Sequence, residues 1–255
     1  MSGFLPDEPN AEVRVSPNFG PRRETAMPDM IVLHYTGMTT GGGAEARLCD
    51  PASEVSSHYL VHEDGRIVQM VRESDRAWHA GKGSWFGRAD INSCSVGIEI
   101  VNPGHLLGYR NFPKRQIDAV IGLCKGIVQR HSIPAQRVLA HSDVAPGRKV
   151  DPGEKFPWKA LFEAGIGHFV EAAPIRRGAV LKAGDANAEV EALQSMLALY
   201  GYGVEISGAF DRQTEIVVEA FQRHFRQRLV DGVADGSTIR TLERLLASAR
   251  AVPSS

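Results

Sequence analysis

The chain has 255 residues, room for one large domain and a small one or for two of middling size. Its 43% hydrophobic and 23% charged residues suit a globular protein with a buried core, and a formal net charge of −1 leaves no global electrostatic case for nucleic acid or an anionic membrane as partner. Three scattered cysteines (Cys49, Cys94, Cys124) without a CxxC pair argue against a disulfide scaffold, so any metal site must draw on His and Asp.

In chain order, the N-terminus shows no basic segment followed by an apolar one, and no run approaches the length of a membrane span. A soluble, cytoplasmic chain with no membrane span is therefore expected. Residues 1–29, rich in Pro, Asn and charge, read as an extended lead-in that wraps the domain. Met30 to His34 is a first apolar strand, Thr39 to Gly43 a flexible loop, and Ala44 to Leu48 a helical turn. Val55 to His62 and Arg66 to Val71 flank Glu63-Asp64-Gly65, a hairpin signal. Ser95 to Val101 alternates as a strand, with Val96, Ile98 and Ile100 on one face and Gly97, Glu99 and Val101 on the other. From Lys114 to His131, apolar residues at 117, 120, 121, 124, 127 and 128 form the stripe of an amphipathic helix, which Ile133-Pro134 ends before a return strand at Val138-Leu139. Strands mixed with covering helices predict an α/β fold with a mixed central sheet.

Composition shifts after Trp158. A short helix to about His168 and a linker at Pro174 to Gly178 precede three helix patterns, carried by Val190, Leu193, Leu197 and Tyr200, then by Val217, Val218, Phe221 and Phe225, then by Ile239, Leu242, Leu245 and Leu246. Gly208-Ala-Phe-Asp211-Arg-Gln-Thr214 echoes Gly232-Val-Ala-Asp235-Gly-Ser-Thr238, each Asp standing where a helix N-cap is needed. The chain thus divides into residues 1–170 and a small three-helix domain over residues 176–250.

The chemistry concentrates in Ala140 to Gly153. An apolar strand delivers His141 into a loop braked by Pro146, Gly147, Pro152 and Gly153, which also carries Lys149 and Asp151. His34 closes the first strand. Two imidazoles and a carboxylate are good zinc ligands, and a catalytic zinc with three protein ligands keeps one position for a water whose pKa falls towards ~7. Glu99, in an apolar strand, would have its pKa raised by desolvation into a range useful for proton shuttling, and Lys149 could stabilise an oxyanion. Each residue also has a plain structural reading. A strand-end histidine often only hydrogen-bonds, and His58, His62 and His79 are equally available on generic grounds. Glu99 could sit on a solvated face, and Lys149 beside Arg148 could be an ordinary surface charge. A non-catalytic binding or sensor protein and a metallopeptidase are the alternatives to an amide hydrolase.

At Val32-Leu-His34, Ser57-His-Tyr59, Asp64 to Gln69, Ala77-Trp-His-Ala-Gly81, Val96-Gly-Ile-Glu99 and His141 to Gly153, taken in order, the chain resembles the zinc-dependent N-acetylmuramoyl-L-alanine amidases of the AmpD/AmiD type, a family related to peptidoglycan recognition proteins. The resemblance covers roughly residues 15–165. It implies that His34, His141 and Asp151 bind Zn2+, that Glu99 is the catalytic acid/base and that Lys149 stabilises the transition state. It also implies that His58, Trp78 and His79 lie on the substrate side of the cleft. Phage relatives with Cys at the last ligand position and Tyr in place of Glu99 differ from this chain, which has the bacterial pattern. Val190 to Gln194, Gly208 to Asp211, Thr214, Ala220-Phe-Gln222, Asp231-Gly-Val233 and Thr238 resemble a three-helix peptidoglycan-binding domain. The resemblance implies peptidoglycan or muropeptide fragments as partners and no protein partner, with cleavage of the amide between N-acetylmuramic acid and L-alanine. A wall-binding module tethered to a hydrolase would raise local substrate concentration and keeps a periplasmic or cell-envelope location open beside the cytoplasmic one.

Overall fold

A computed structural model describes residues 4–250 except Glu24 and Ala26, so part of the expected lead-in, residues 1–3 included, lies outside the described residues. In chain order the elements are β1 (Glu12–Val13), β2 (Phe19–Pro21), β3 (Met30–Tyr35), α1 (Gly41–Leu48), β4 (Tyr59–Val61), β5 (Ile67–Gln69), β6 (Asp75–Ala77), α2 (Ile91–Cys94), β7 (Ser95–Ile100), α3 (Lys114–His131), β8 (Val138–Ala140), α4 (His141–Val144) and α5 (Trp158–Glu163). They are followed by β9 (Val180–Leu181), α6 (Ala188–Tyr200), α7 (Arg212–Phe225), β10 (Ala234–Asp235) and α8 (Gly236–Arg250). No helix among the described residues is long and apolar enough to cross a membrane.

The main sheet has six strands in the order β1-β5-β4-β7-β3-β8. It is mixed: β3 runs parallel to β7 and β8, β4 runs parallel to β7, and only the β4–β5 hairpin is antiparallel. The hairpin turns at Gly65, whose positive φ of 90° is the conformation that favours glycine there. β3 is apolar on both faces because both are covered: Met30, Ile31, Val32 and Leu33 are each 0% exposed. Ile31 and Leu33 join Val96, Ile98 and Ile100 under α3, which packs Ile117, Val120, Leu123, Cys124 and Ile127 onto that face. α3 stops at His131, where Ser132 takes a left-handed φ of 52° just before Ile133-Pro134. The lead-in does wrap the sheet: Arg22 donates to the carbonyls of Glu73, Ser93 and Ser95. The strand patterns at Glu12 and Phe19, and the short α2, were not expected from periodicity because each is too short to show one.

The echo in the C-terminal sequence is an internal repeat in space. Asp211 Oδ1 accepts from Thr214 N at 2.8 Å, and Asp235 Oδ1 accepts from Thr238 N at 2.8 Å. Gln194 Oε1 accepts from Ser207 N and Gly208 N, as Gln222 Oε1 does from Asp231 N and Gly232 N. Each glutamine amide then donates to the threonine of its own repeat, Thr214 or Thr238. The module is not loosely tethered. Met30, Val32, Trp85, Leu139 and Val144 share one apolar cluster with Leu197, Tyr200, Phe221, Phe225 and Leu242, so the sheet face opposite α3 is covered by the module itself.

A buried carboxylate ties the hairpin to α3. Glu73, 2% exposed, accepts from Tyr59 Oη at 2.6 Å, Arg130 Nη2 at 2.7 Å and His131 Nε2 at 2.6 Å. Burial pushes its pKa up, but the bonds from His131, Arg130 and Tyr59 outweigh burial and hold it at about 2 against an ordinary 4.5. Because the folded value lies below the unfolded one, the stabilisation is full above pH ~5 and is lost as pH falls towards 2. Glu73→Gln should therefore cost on the order of 2–3 kcal/mol at pH 7, and urea unfolding of variant and wild type should draw together below pH ~4 and converge only around pH 2 and below.

Candidate active site

β3, β7 and β8 run parallel, so their C-terminal ends open on one edge of the sheet, the usual place for a site in such folds. His34 stands at the end of β3. It pairs in register with Glu99 of β7, which places both side chains on the same face. β8 ends at Ala140, and His141 opens the single turn α4. The loop then doubles back so that Ser142 N donates to Asp151 O at 3.0 Å. His34, Glu99, His141 and Asp151 line a cavity of about 280 Å³ together with Lys149, Trp78 and His79.

Three electron-pair donors converge there. His34 Nδ1 lies 2.8 Å from His141 Nδ1 and 3.1 Å from Asp151 Oδ2, and His141 Nδ1 lies 2.9 Å from that same oxygen. The far nitrogen of each ring has a partner that identifies the tautomer, as assigned from the hydrogen-bond network. His141 Nε2 donates to Ala80 O at 2.9 Å. Ser95 Oγ donates to Ile91 O at 2.6 Å and so accepts from His79 Nε2 at 3.1 Å. His79 Nδ1 is then free to accept from His34 Nε2 at 3.0 Å. Both Nδ1 atoms are left bare beside a carboxylate oxygen. Burial, with the neighbouring His141, holds the His34 imidazole down at about 4, and burial with His34 holds His79 well below its ordinary value, which keeps both rings neutral at pH 7. Three acceptors this close repel one another unless a cation lies among them. Two imidazoles and a carboxylate suit a borderline divalent ion, and tetrahedral zinc would set the donors ~3.3 Å apart, a few tenths of an ångström wider than they stand.

The other expected residues fall in and out of place. Glu99 lines the cavity, and its Oε2 is buried without a hydrogen-bond partner. Burial raises its carboxyl well above the ordinary range, with Asp151 adding to the effect and Lys149 opposing it. A cation held by the ligands would oppose it further. Lys149 and Trp78 line the same cavity. His79 does too, but both its nitrogens are engaged, on His34 and Ser95. His58 is not among the residues that line the cavity and is 0% exposed. Its Nδ1 accepts from Gly97 N at 2.9 Å and its Nε2 lies 3.1 Å from Asp75 O, with Arg22 beside it, so its ring is spent on the interior.

Two contributors escaped sequence reasoning. Ser95 at the start of β7 anchors His79, and a Cβ on Gly97 would lie 2.4 Å from His79 Cγ, so only glycine admits that ring. A glycine inside an apolar strand was the available signal. Tyr109 is the second: its hydroxyl donates to Pro152 O at 2.7 Å and accepts from Lys155 N at 2.9 Å, steadying the chain just after Asp151.

With this geometry in hand, comparison with known proteins is informative. A family model described as N-acetylmuramoyl-L-alanine amidase matches residues 24–154, and one described as a peptidoglycan binding domain matches residues 186–242. The chain is 38% identical over 229 residues to the N-acetylmuramoyl-L-alanine amidase AmiD of Escherichia coli, spanning 85% of this chain and 82% of that protein. It is 33% identical over 166 residues to the 1,6-anhydro-N-acetylmuramyl-L-alanine amidase AmpD of Citrobacter freundii, spanning 58% of this chain and 86% of that one. Among solved structures, Escherichia coli AmiD in complex with anhydro-N-acetylmuramic acid-L-Ala-D-gamma-Glu-L-Lys superposes with a TM-score of 0.72 at 35% identity, over 89% of this chain and 92% of that one. AmpDh3 of Pseudomonas aeruginosa in complex with anhydromuramic pentapeptide superposes with a TM-score of 0.74 at 31% identity, over 92% and 96%. The chain belongs to the N-acetylmuramoyl-L-alanine amidase family.

Proposed function

We propose that the chain is a zinc-dependent hydrolase of peptidoglycan or soluble muropeptides, cleaving the amide between the lactyl group of N-acetylmuramic acid, or its anhydro form, and the L-alanine of the stem peptide. The observation that carries this reading is the convergence of two bare Nδ1 atoms and Asp151 Oδ2 within 3.1 Å, in a cavity that also holds the unpartnered Glu99 carboxylate. In it, His34, His141 and Asp151 hold the metal. Zinc bound there supplies Lewis acidity, acidifying a water molecule and polarising the scissile carbonyl. Glu99 is the acid/base: its free Oε2 takes the proton of the attacking water and passes it to the departing amine of L-alanine. Lys149, which forms no ion pair among the described residues, offers its ammonium to the developing oxyanion. Trp78 presents an indole at the wall for the sugar or the peptide. His79, with Ser95 behind it, keeps His34 in the ligating tautomer.

The two family matches, to residues 24–154 and 186–242, support a division into an amidase unit over residues 1–170 and a peptidoglycan-binding-like unit over residues 176–250. The cleaved bond is the same whether the sugar is part of a polymer or a soluble fragment, so both substrates fit one site.

Glu99→Gln should lower kcat by ~10²–10⁴ while the protein retains one zinc per chain, read by mass spectrometry of stem peptide with a free N-terminal L-alanine and by metal analysis of the same sample. His141→Ala should lose the metal and all turnover. In wild type, chelation should abolish activity and added zinc should restore it; activity that survives chelation would exclude the metal role. Lys149→Ala should lower kcat by ~10²–10³ with little change in KM, and a change confined to KM would move Lys149 from the transition state to substrate binding.

A further inference from the structure

The carboxylate of Asp143 is 0% exposed and lies two residues beyond His141 on the single turn α4. Its hydrogen bonds come from three places. Ala140 N donates to Oδ2 at 2.8 Å, which closes the turn that begins with His141. The other two donors belong to the helical module. Tyr202 Oη donates to Oδ1 at 2.7 Å, and His224 Nδ1 donates to Oδ2 at 2.7 Å. Without the module, Oδ1 would have no partner at all in the described structure, and a buried carboxylate in that condition must turn towards water or remain unpaired at heavy cost.

Turning it would move the metal loop. The same turn delivers His141 at its first position, receives Ser84 N on Val144 O at 2.7 Å, and ends at Ala145, whose carbonyl accepts Lys149 N at 3.0 Å. Asp143 therefore sits at the root of both His141 and Lys149. The donors are themselves held rigidly. His224 stacks between Trp158, with ring centroids 3.7 Å apart, and Phe225, at 3.8 Å, so an aromatic ring of the amidase unit fixes the orientation of the module's imidazole. Tyr202 packs edge-on against Trp85 at 5.0 Å.

We propose that the helical module is a working part of the metal site: Tyr202 and His224 hold the Asp143 carboxylate and, through it, the turn that presents His141, which makes all three positioning residues for metal binding. The module is then a scaffold for the catalytic loop in addition to any role in binding cell-wall polymer. The proposal rests on His34, His141 and Asp151 being the zinc ligands.

The test uses the full-length protein and two variants that delete one donor each while keeping an aromatic ring in place, Tyr202→Phe and His224→Phe. Leu242→Ala is the control, because it empties the module's core without touching Asp143. Zinc dissociation constants are measured by competition with a chelating indicator, alongside kcat and KM at saturating zinc and thermal unfolding of the metal-free proteins. The expected result is zinc binding weakened roughly 10–100-fold in each donor variant, the range found for residues that orient a metal's ligands, with KM unchanged because neither side chain lines the cavity. Leu242→Ala should lower thermal stability and leave zinc affinity at the wild-type value. Unchanged zinc affinity in both donor variants would overturn the proposal, as would an equal loss in Leu242→Ala, which would make the effect one of general stability. Wild-type protein that binds no zinc would instead overturn the ligand assignment itself, and the proposal with it.

Discussion

Three electron-pair donors set within 3.1 Å of one another, with no proton among them, are the constraint around which the rest of this fold is arranged. Such a cluster is electrostatically unfavourable on its own, and it persists only where surrounding structure holds each donor in place and a cation offsets the repulsion. Three parallel strands supply the first requirement. Their carboxyl ends bring His34, Glu99 and the His141 turn to one edge of the sheet, and the apolar faces of β3 and β7, covered on both sides, keep that edge from shifting. The pairing of His34 with Glu99 in register is a consequence of strand geometry, and it places a candidate proton carrier beside a candidate ligand.

A second layer then decides which nitrogen of each ring faces the cluster. Ala80 O takes the Nε2 proton of His141, and the relay from Ser95 through His79 takes that of His34. Because each step in that relay uses a donor already committed by its neighbour, the tautomers are not free to exchange. Glycine at position 97 is part of the same device, since any side chain there would collide with His79.

The helical module completes the arrangement from the opposite direction. It covers the sheet face that α3 leaves open and supplies two of the three hydrogen bonds to Asp143. Catalytic and binding units that share a core cannot move independently as beads on a linker would. Any contribution of the module to substrate binding is thus made at a fixed distance and orientation from the cavity.

Legible along the chain alone were the alternation of strands and helices, the amphipathic stripe of α3, the doubled turn-helix unit near the C-terminus and the chemical types of the candidate ligands. These are local properties: periodicity and capping report on residues within a turn or a strand, and imidazole or carboxylate chemistry belongs to the residue itself. Selecting among the histidines required the family resemblance and then the fold, because His34 and His141 meet across 107 positions of chain. His58, which shares the same motifs, turned inward for reasons no spacing revealed: a backbone amide from β7 and the carbonyl of Asp75 claim its two ring nitrogens. The pairings of Asp143 with Tyr202 and His224 span 59 and 81 positions, and only the packing of α7 and the loop after α6 against α4 brings them about. What joins distant segments depends on how apolar faces stack, and that is decided by the tertiary structure alone.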